Sequence, residues 1–204
     1  MAFLLLILCY LIGAIPFGYL LVKLKTGEDV RAEGSGNIGA TNVLRTQGRV
    51  LGIVTLVLDA LKGFSAVWAM AKVTEDSFVS LIWVSAAALA VMLGHIYPVF
   101  LGFKGGKAVA TFIGAFAYLT PWPLLAVLIV FVIVVAATRY ISLGSVVAAA
   151  SFPFGVWLIA HPAPVVLTAS LIAAAIIVYK HKDNIGRLRS GTENVFIFGG
   201  GRKS

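Results

Sequence analysis

Apolar and polar residues follow one another along this chain in long blocks. Nearly uninterrupted apolar runs cover Ala2 to Val22, Val50 to Ala71, Ser77 to about Pro98, Ala108 to Thr138, Ser142 to Ala160 and Pro164 to Tyr179. A helix rises about 1.5 Å per residue, so roughly 20 apolar residues cross the hydrocarbon core, and each run predicts a membrane-spanning helix. The uncharged run from Ala108 to Thr138 is too long for one crossing, at about 45 Å. Pro121 and Pro123 flank Trp122 in its middle, where a turn at an aromatic interface is expected. The pattern therefore predicts an all-α polytopic membrane protein with seven spans in one domain, at about 2–22, 50–71, 77–98, 108–120, 122–138, 142–160 and 164–179.

Composition agrees with this reading. The chain has 204 residues, 60% of them hydrophobic and 12% charged, with a mean hydropathy of +1.01. Soluble domains carry about 25% charged residues. No basic residue precedes Lys23, so the first run lacks the positive start of a secretory signal and is read as a retained helix. Cys9 is the single cysteine and offers neither an intramolecular disulfide nor a Cys-based metal site.

Charge sets the orientation. With seven spans and the N-terminus outside, all 16 basic residues face the cytoplasm except Lys72, which is outside, and Lys62, which is within a span. With six spans the basic segment from Lys180 to Lys203 would be outside, against the positive-inside tendency. The net charge of +8 is thus distributed between apolar runs and points to anionic lipid headgroups, not to nucleic acid. The tail from Gly199 to Ser204 is expected to be frayed and solvated. No internal repeat stands out, although Pro-Phe-Gly occurs at both Pro16 and Pro153.

Three polar stretches interrupt the apolar blocks, and the seven-span arrangement puts all three on the cytoplasmic side. The first is Gly34-Ser-Gly-Asn-Ile-Gly-Ala-Thr-Asn-Val-Leu-Arg45. Its glycines admit close backbone approach, its amides can bind an anion, and Arg45 can grip a phosphate with two parallel bonds. If a helix begins after Gly36, then Asn37, Thr41 and Arg45 share one face of it, with Ser35 and Gly36 at its anion-attracting end. Gly34, Gly36 and Gly39 also spell the dinucleotide fingerprint, with Asp59 20 residues on, but that fingerprint needs a preceding strand and a βαβ unit.

The second stretch runs from Gly94-His95 to Lys104-Gly105-Gly106-Lys107 and Thr111. Two cations and two glycines open an apolar helix there, an arrangement suited to phosphate. It is not a Walker loop, since Leu101 and Ala108 stand where that motif needs Gly and Ser or Thr. The third stretch runs from Lys180 to Glu193 and contains His181, Asn184 and Glu193. Its imidazole could serve as a base, and its polar pair could orient a polyol. Within the second span, Asp59 and Lys62 lie three apart and are expected to pair.

Together these residues resemble the bacterial acyl-phosphate:glycerol-3-phosphate acyltransferases of the inner membrane. The resemblance spans essentially the whole chain and rests on Ser35 to Arg45, Gly94 to Thr111 and His181 to Glu193, with no departure at a motif position. It implies transfer of a fatty acyl group from acyl phosphate to the 1-hydroxyl of glycerol 3-phosphate, giving lysophosphatidic acid and inorganic phosphate. No cofactor and no metal are expected; the substrates and membrane lipid are the expected partners, and the oligomeric state is left open.

On this resemblance, the catalytic candidates are His181, Ser35, Lys104 and Arg45. The substrate-binding candidates are Gly36, Asn37, Gly39, Thr41, Asn42, Gly105, Gly106, Lys107, Thr111, Asn184 and Glu193. Ser35, Gly36, Asn37, Arg45 and Lys104 are placed around the donor phosphate and oxyanion, and Lys107, His181, Asn184 and Glu193 around glycerol 3-phosphate. The base is either His181 or a phosphate oxygen of the donor. The competing class is a transporter or channel for a phosphorylated metabolite, which Asp59 and Lys62 keep open.

Overall fold

A computed structural model describes residues 1–74 and 78–196. The expected start of the third span at Ser77 and the tail from Gly199 to Ser204, with Arg202 and Lys203, lie outside these residues. Among the described residues the regular elements are all helical, and they divide into a first unit ending at Leu119 and a second beginning at Thr120.

In the first unit, α1 (Ala2–Ala14) and α2 (Phe17–Thr26) share the first apolar run. Pro16 lacks an amide hydrogen and forces Ile15 into an extended conformation, which interrupts the helix and turns the Ile15 carbonyl away from the regular ladder. Gly27, at φ +76°, stops α2 in the left-handed conformation. A short 3-10 turn at Val30–Ala32 leads to α3 (Ala40–Gln47), and Gly48 separates α3 from the long α4 (Arg49–Val73). Next come α5 (Phe78–Ile96), a 3-10 turn at Val99–Leu101, and the eleven-residue α6 (Val109–Leu119). α4 is the hub, packing against α1, α3, α5 and α6. Gly63 and Gly114 let α4 and α6 nearly touch: a Cβ on Gly63 would lie 2.1 Å from the Thr111 carbonyl oxygen.

In the second unit, α7 (Pro121–Thr138) starts with proline in its first turn, where a missing amide hydrogen costs nothing. Helix α8 (Ile141–Gly155) runs into a wider π turn at Val156–Ala160 just after Pro153. Helix α9 (Pro164–Lys180) is followed at once by α10 (Lys182–Arg189), bent from it by 53°. α8 packs against α7, α9 and α10.

Among the described residues, five helical stretches are long and apolar enough to cross a bilayer, and α9 with α10 would make a sixth. Large side chains such as Phe3, Leu4, Ile53, Val132, Ile133 and Phe154 are exposed along them, as lipid contact requires. The helix break at Thr120 falls beside the proline pair. The helix expected after Gly36 begins instead at Ala40, with Gly39 at its N-cap. Gly34 and Gly36 both have positive φ, and the Gly36 amide donates to the Glu33 carbonyl in a turn, so the chain cannot become helical there. Thr41 and Arg45 do lie on one helical face, while Asn37 stands before the helix.

Candidate active site

The first polar stretch is a loop built on Asn42. This side chain is buried at 2% exposure, and its Oδ1 accepts from the Ser35 amide at 2.8 Å and the Ser35 hydroxyl at 3.2 Å. Its Nδ2 donates to the carbonyls of Val30 and Glu33 at 3.2 and 3.1 Å. Gly34 at φ +59° packs against the same amide, and a Cβ there would fall 2.3 Å from Oδ1. Asn37 Oδ1 accepts from the Gly39 amide at 2.9 Å, a side-chain turn that fixes the entry to α3. Asn42 and Asn37 therefore shape the loop, and Gly34, Ser35, Gly36, Thr41 and Arg45 are the members of this stretch exposed on it. Nearby, Arg31 forks onto Asp29 with a closest approach of 2.6 Å, and this bonding holds the Asp29 carboxyl below its usual range.

The second stretch folds back onto the end of α5. The Gly105 amide donates to the Ile96 carbonyl at 3.2 Å and the Gly106 amide to the His95 carbonyl at 3.0 Å. The approach is so close that a Cβ on Gly105 would lie 2.2 Å from the His95 carbonyl oxygen, and one on Gly106 would lie 2.1 Å from His95 Nε2. Phe103 at φ +63° and Ala108 at φ +59° bracket the loop in a backbone region that side chains avoid. Such strain persists only where the surroundings impose it, and it gathers at functional sites. Lys104 is exposed and Lys107 half-buried, while Thr111 is fully buried beside α4. Leu101 packs on the apolar cluster of Val22, Val30, Ile38 and Val43, which makes the second stretch a neighbour of the first.

Beneath this loop are three buried ionisable groups. Lys62 Nζ lies 2.7 Å from Asp59 Oδ1, donates to the Ile15 carbonyl at 2.8 Å, and stands 3.0 Å from His95 Nδ1. Asp59 and Lys62 pair as their spacing predicts, and His95 joins them across the helix contact.

In the second unit the third stretch forms its own network. Glu193 is buried at 8% exposure; its Oε1 accepts from Asn184 Nδ2 at 2.8 Å and from Ser142 Oγ at 3.0 Å, and its Oε2 from Arg187 Nε at 2.8 Å. Burial alone would raise the Glu193 carboxyl, but these three hydrogen bonds and the Arg187 charge outweigh it and hold the carboxyl below its usual range. His181, also buried, forms the junction between α9 and α10. Its Nδ1 lies 2.7 Å from the Ile177 carbonyl oxygen, which can only accept, so Nδ1 carries a proton and Nε2 is the basic nitrogen of the neutral ring. Ser142 has no sequence signal that separates it from the many small polar residues that begin spans; only the fold brings it to Glu193.

A family model described as glycerol-3-phosphate acyltransferase matches residues 3–191. A relative named glycerol-3-phosphate acyltransferase from Geotalea daltonii is 52% identical over 187 residues, covering 92% of this chain and 93% of that one. The one so named from Geobacter sulfurreducens is 49% identical with the same coverage, 92% and 93%. Among solved structures, the glycerol 3-phosphate form of PlsY (YgiH), an integral membrane glycerol 3-phosphate acyltransferase, has a TM-score of 0.89 at 39% identity and 96% coverage of both chains. The lysophosphatidic acid form of PlsY has a TM-score of 0.86 at 37% identity, covering 96% of this chain and 95% of that one. A family match over nearly the whole chain, relatives about half identical over nine-tenths of their length, and polar loops carried on helices among the described residues show that the chain belongs to the glycerol-3-phosphate acyltransferase family.

Proposed function

We propose that this protein transfers a fatty acyl group to the 1-hydroxyl of glycerol 3-phosphate and releases lysophosphatidic acid. The observation that carries the reading is the pair of forms found for its solved relative: glycerol 3-phosphate and lysophosphatidic acid differ by one acyl ester. A transporter need not accept both, and membership in an acyltransferase family sets the transport reading aside.

The donor is acyl phosphate, a mixed anhydride with a good leaving group. The hydroxyl oxygen of glycerol 3-phosphate attacks the acyl carbonyl carbon, the proton passes to a base, the bond to the phosphate oxygen breaks, and inorganic phosphate leaves. Such a reaction needs positioning, a base, and stabilisation of the tetrahedral oxyanion. Ser35, Gly36, Arg45 and Lys104 surround the donor phosphate and the oxyanion, with Asn37, Gly39, Thr41, Asn42, Gly105, Gly106 and Thr111 forming and holding the loops. Lys107, His181, Asn184 and Glu193 hold glycerol 3-phosphate. His181 is the base through Nε2, a role supported by its Nδ1 contact with the Ile177 carbonyl.

The chain crosses the inner membrane of a bacterial cell seven times, with its N-terminus outside and all three polar stretches at the cytoplasmic face of a single transmembrane domain. The distribution of basic residues supports this orientation. The deciding assay uses the purified protein in detergent, where no compartment exists to transport across, with glycerol 3-phosphate and long-chain acyl phosphate. Phosphate release matched by lysophosphatidic acid is expected; absence of both products refutes the reading.

A further inference from the structure

The cluster of Asp59, Lys62 and His95 has no part in the chemistry above, yet a buried ammonium is tolerated only where acceptors surround it. Lys62 has three, on three different segments: Asp59 on its own helix, the Ile15 carbonyl exposed by the break before Pro16, and His95 on α5. An ammonium has only donors, so His95 Nδ1 accepts and the ring proton lies on Nε2. Nε2 is also the ring edge against which Gly106 rests. The amides of Gly105 and Gly106 tie the same loop to the carbonyls of Ile96 and His95. One edge of the ring, at Nδ1, is thus held by Lys62, with Asp59 Oδ1 3.5 Å from the same nitrogen, while the opposite edge, at Nε2, supports the loop that carries Lys104 and Lys107.

We propose that Lys62, held by Asp59, is a positioning residue that sets the phosphate loop of residues 104–107 through the ring of His95. The proposal rests on the reading of that loop as a phosphate site. An ion pair serving stability alone would need only its own partners; here the ring of its histidine partner lies against Gly106, where a side chain has no room. Losing the ammonium frees the ring to rotate, and the loop moves with it.

The test is steady-state kinetics on the purified full-length chain in detergent, with each substrate varied in turn. Lys104→Ala identifies which KM reports on the loop. Lys62→Met and His95→Asn are expected to raise that same KM by about tenfold or more, a displacement effect. Asn at position 95 still offers Lys62 an acceptor near Nδ1 but lacks the far ring edge, so it separates support of the ion pair from support of the loop. Lys62→Arg, which keeps a cationic donor, is expected to recover part of the loss. If both KM values stay normal in Lys62→Met and His95→Asn while only yield, melting temperature or kcat falls, the cluster is structural and the proposal is overturned. If Lys62→Met cannot be purified, His95→Asn decides on the same criterion. Unchanged KM values in Lys104→Ala would instead withdraw the phosphate role of the loop, and the proposal with it.

Discussion

Asn184 and Glu193 are joined by a hydrogen bond of 2.8 Å whose acceptor oxygen also takes the Ser142 hydroxyl. One carboxylate thereby orders α10, the start of α8 and the segment that leaves α10. Glu193→Ala strands two buried donors, on Asn184 and Ser142, and removes the acceptor of Arg187 Nε, and each unsatisfied buried group costs about 1–3 kcal/mol. A lower melting temperature in detergent and activity reduced by about tenfold or more are expected. Glu193→Gln keeps the shape and should retain more of both.

The same carboxylate gives a pH dependence with a defined sign. Its native pKa lies below the unfolded value, so its stabilisation is present in full above the ordinary carboxylate range and is lost as pH falls through the lowered native value. Melting temperature measured from about pH 7 down to about pH 3 should fall at the acidic end, below the usual carboxylate pKa of about 4.3. Glu193→Gln should flatten that fall; an unchanged slope would remove Glu193 as its source.

Asn42 acts on Ser35 by holding both its amide and its hydroxyl. Groups that work as a unit are not additive. Asn42→Ala and Ser35→Ala are each expected to reduce kcat/KM by about the factor seen in the double variant, within about 0.5 kcal/mol. Full additivity in the cycle would mean that Asn42 serves the fold apart from Ser35.

Gly106 and Gly102 offer a controlled comparison. Alanine at 106 meets the His95 ring at 2.1 Å, whereas alanine at 102, despite φ +60°, meets nothing within 4 Å. Overpacking costs about 1–3 kcal/mol, so Gly106→Ala should lower kcat/KM by about tenfold or more. Gly102→Ala should cost about 1 kcal/mol of stability from its backbone conformation alone, with activity near that of the parent.

His181→Ala should reduce kcat by about 10²–10⁴ if Nε2 takes the proton of the attacking hydroxyl, with KM less affected. Near-normal turnover would assign the proton to a phosphate oxygen of the donor.

Much of this was legible in the chain because hydropathy is a local property. The apolar runs, the break beside Pro121 and the pairing of Asp59 with Lys62 follow from spacing alone. The three polar stretches stood out as departures from an apolar background. What spacing could not convey was which polar groups face inward. Asn42 has the same composition signal as Asn37, and only the loop geometry shows that it gathers four hydrogen bonds. Ser142 becomes visible only once Glu193, 51 residues on, returns to it. The glycines at 105 and 106 suggested room for a phosphate; the structure adds that they make room for His95. The late start of α3 is not visible in residue spacing, because the conformations of Gly34 and Gly36 depend on their turn with Glu33.

Helix α6 is only eleven residues long, which is about 16 Å, or roughly half the hydrocarbon thickness. The residues ahead of it, 104–108, are not helical. Non-helical backbone beside an apolar helix needs its polar groups satisfied within the protein, and the Gly105 and Gly106 amides, bonded back to Ile96 and His95, meet that need without a helical ladder.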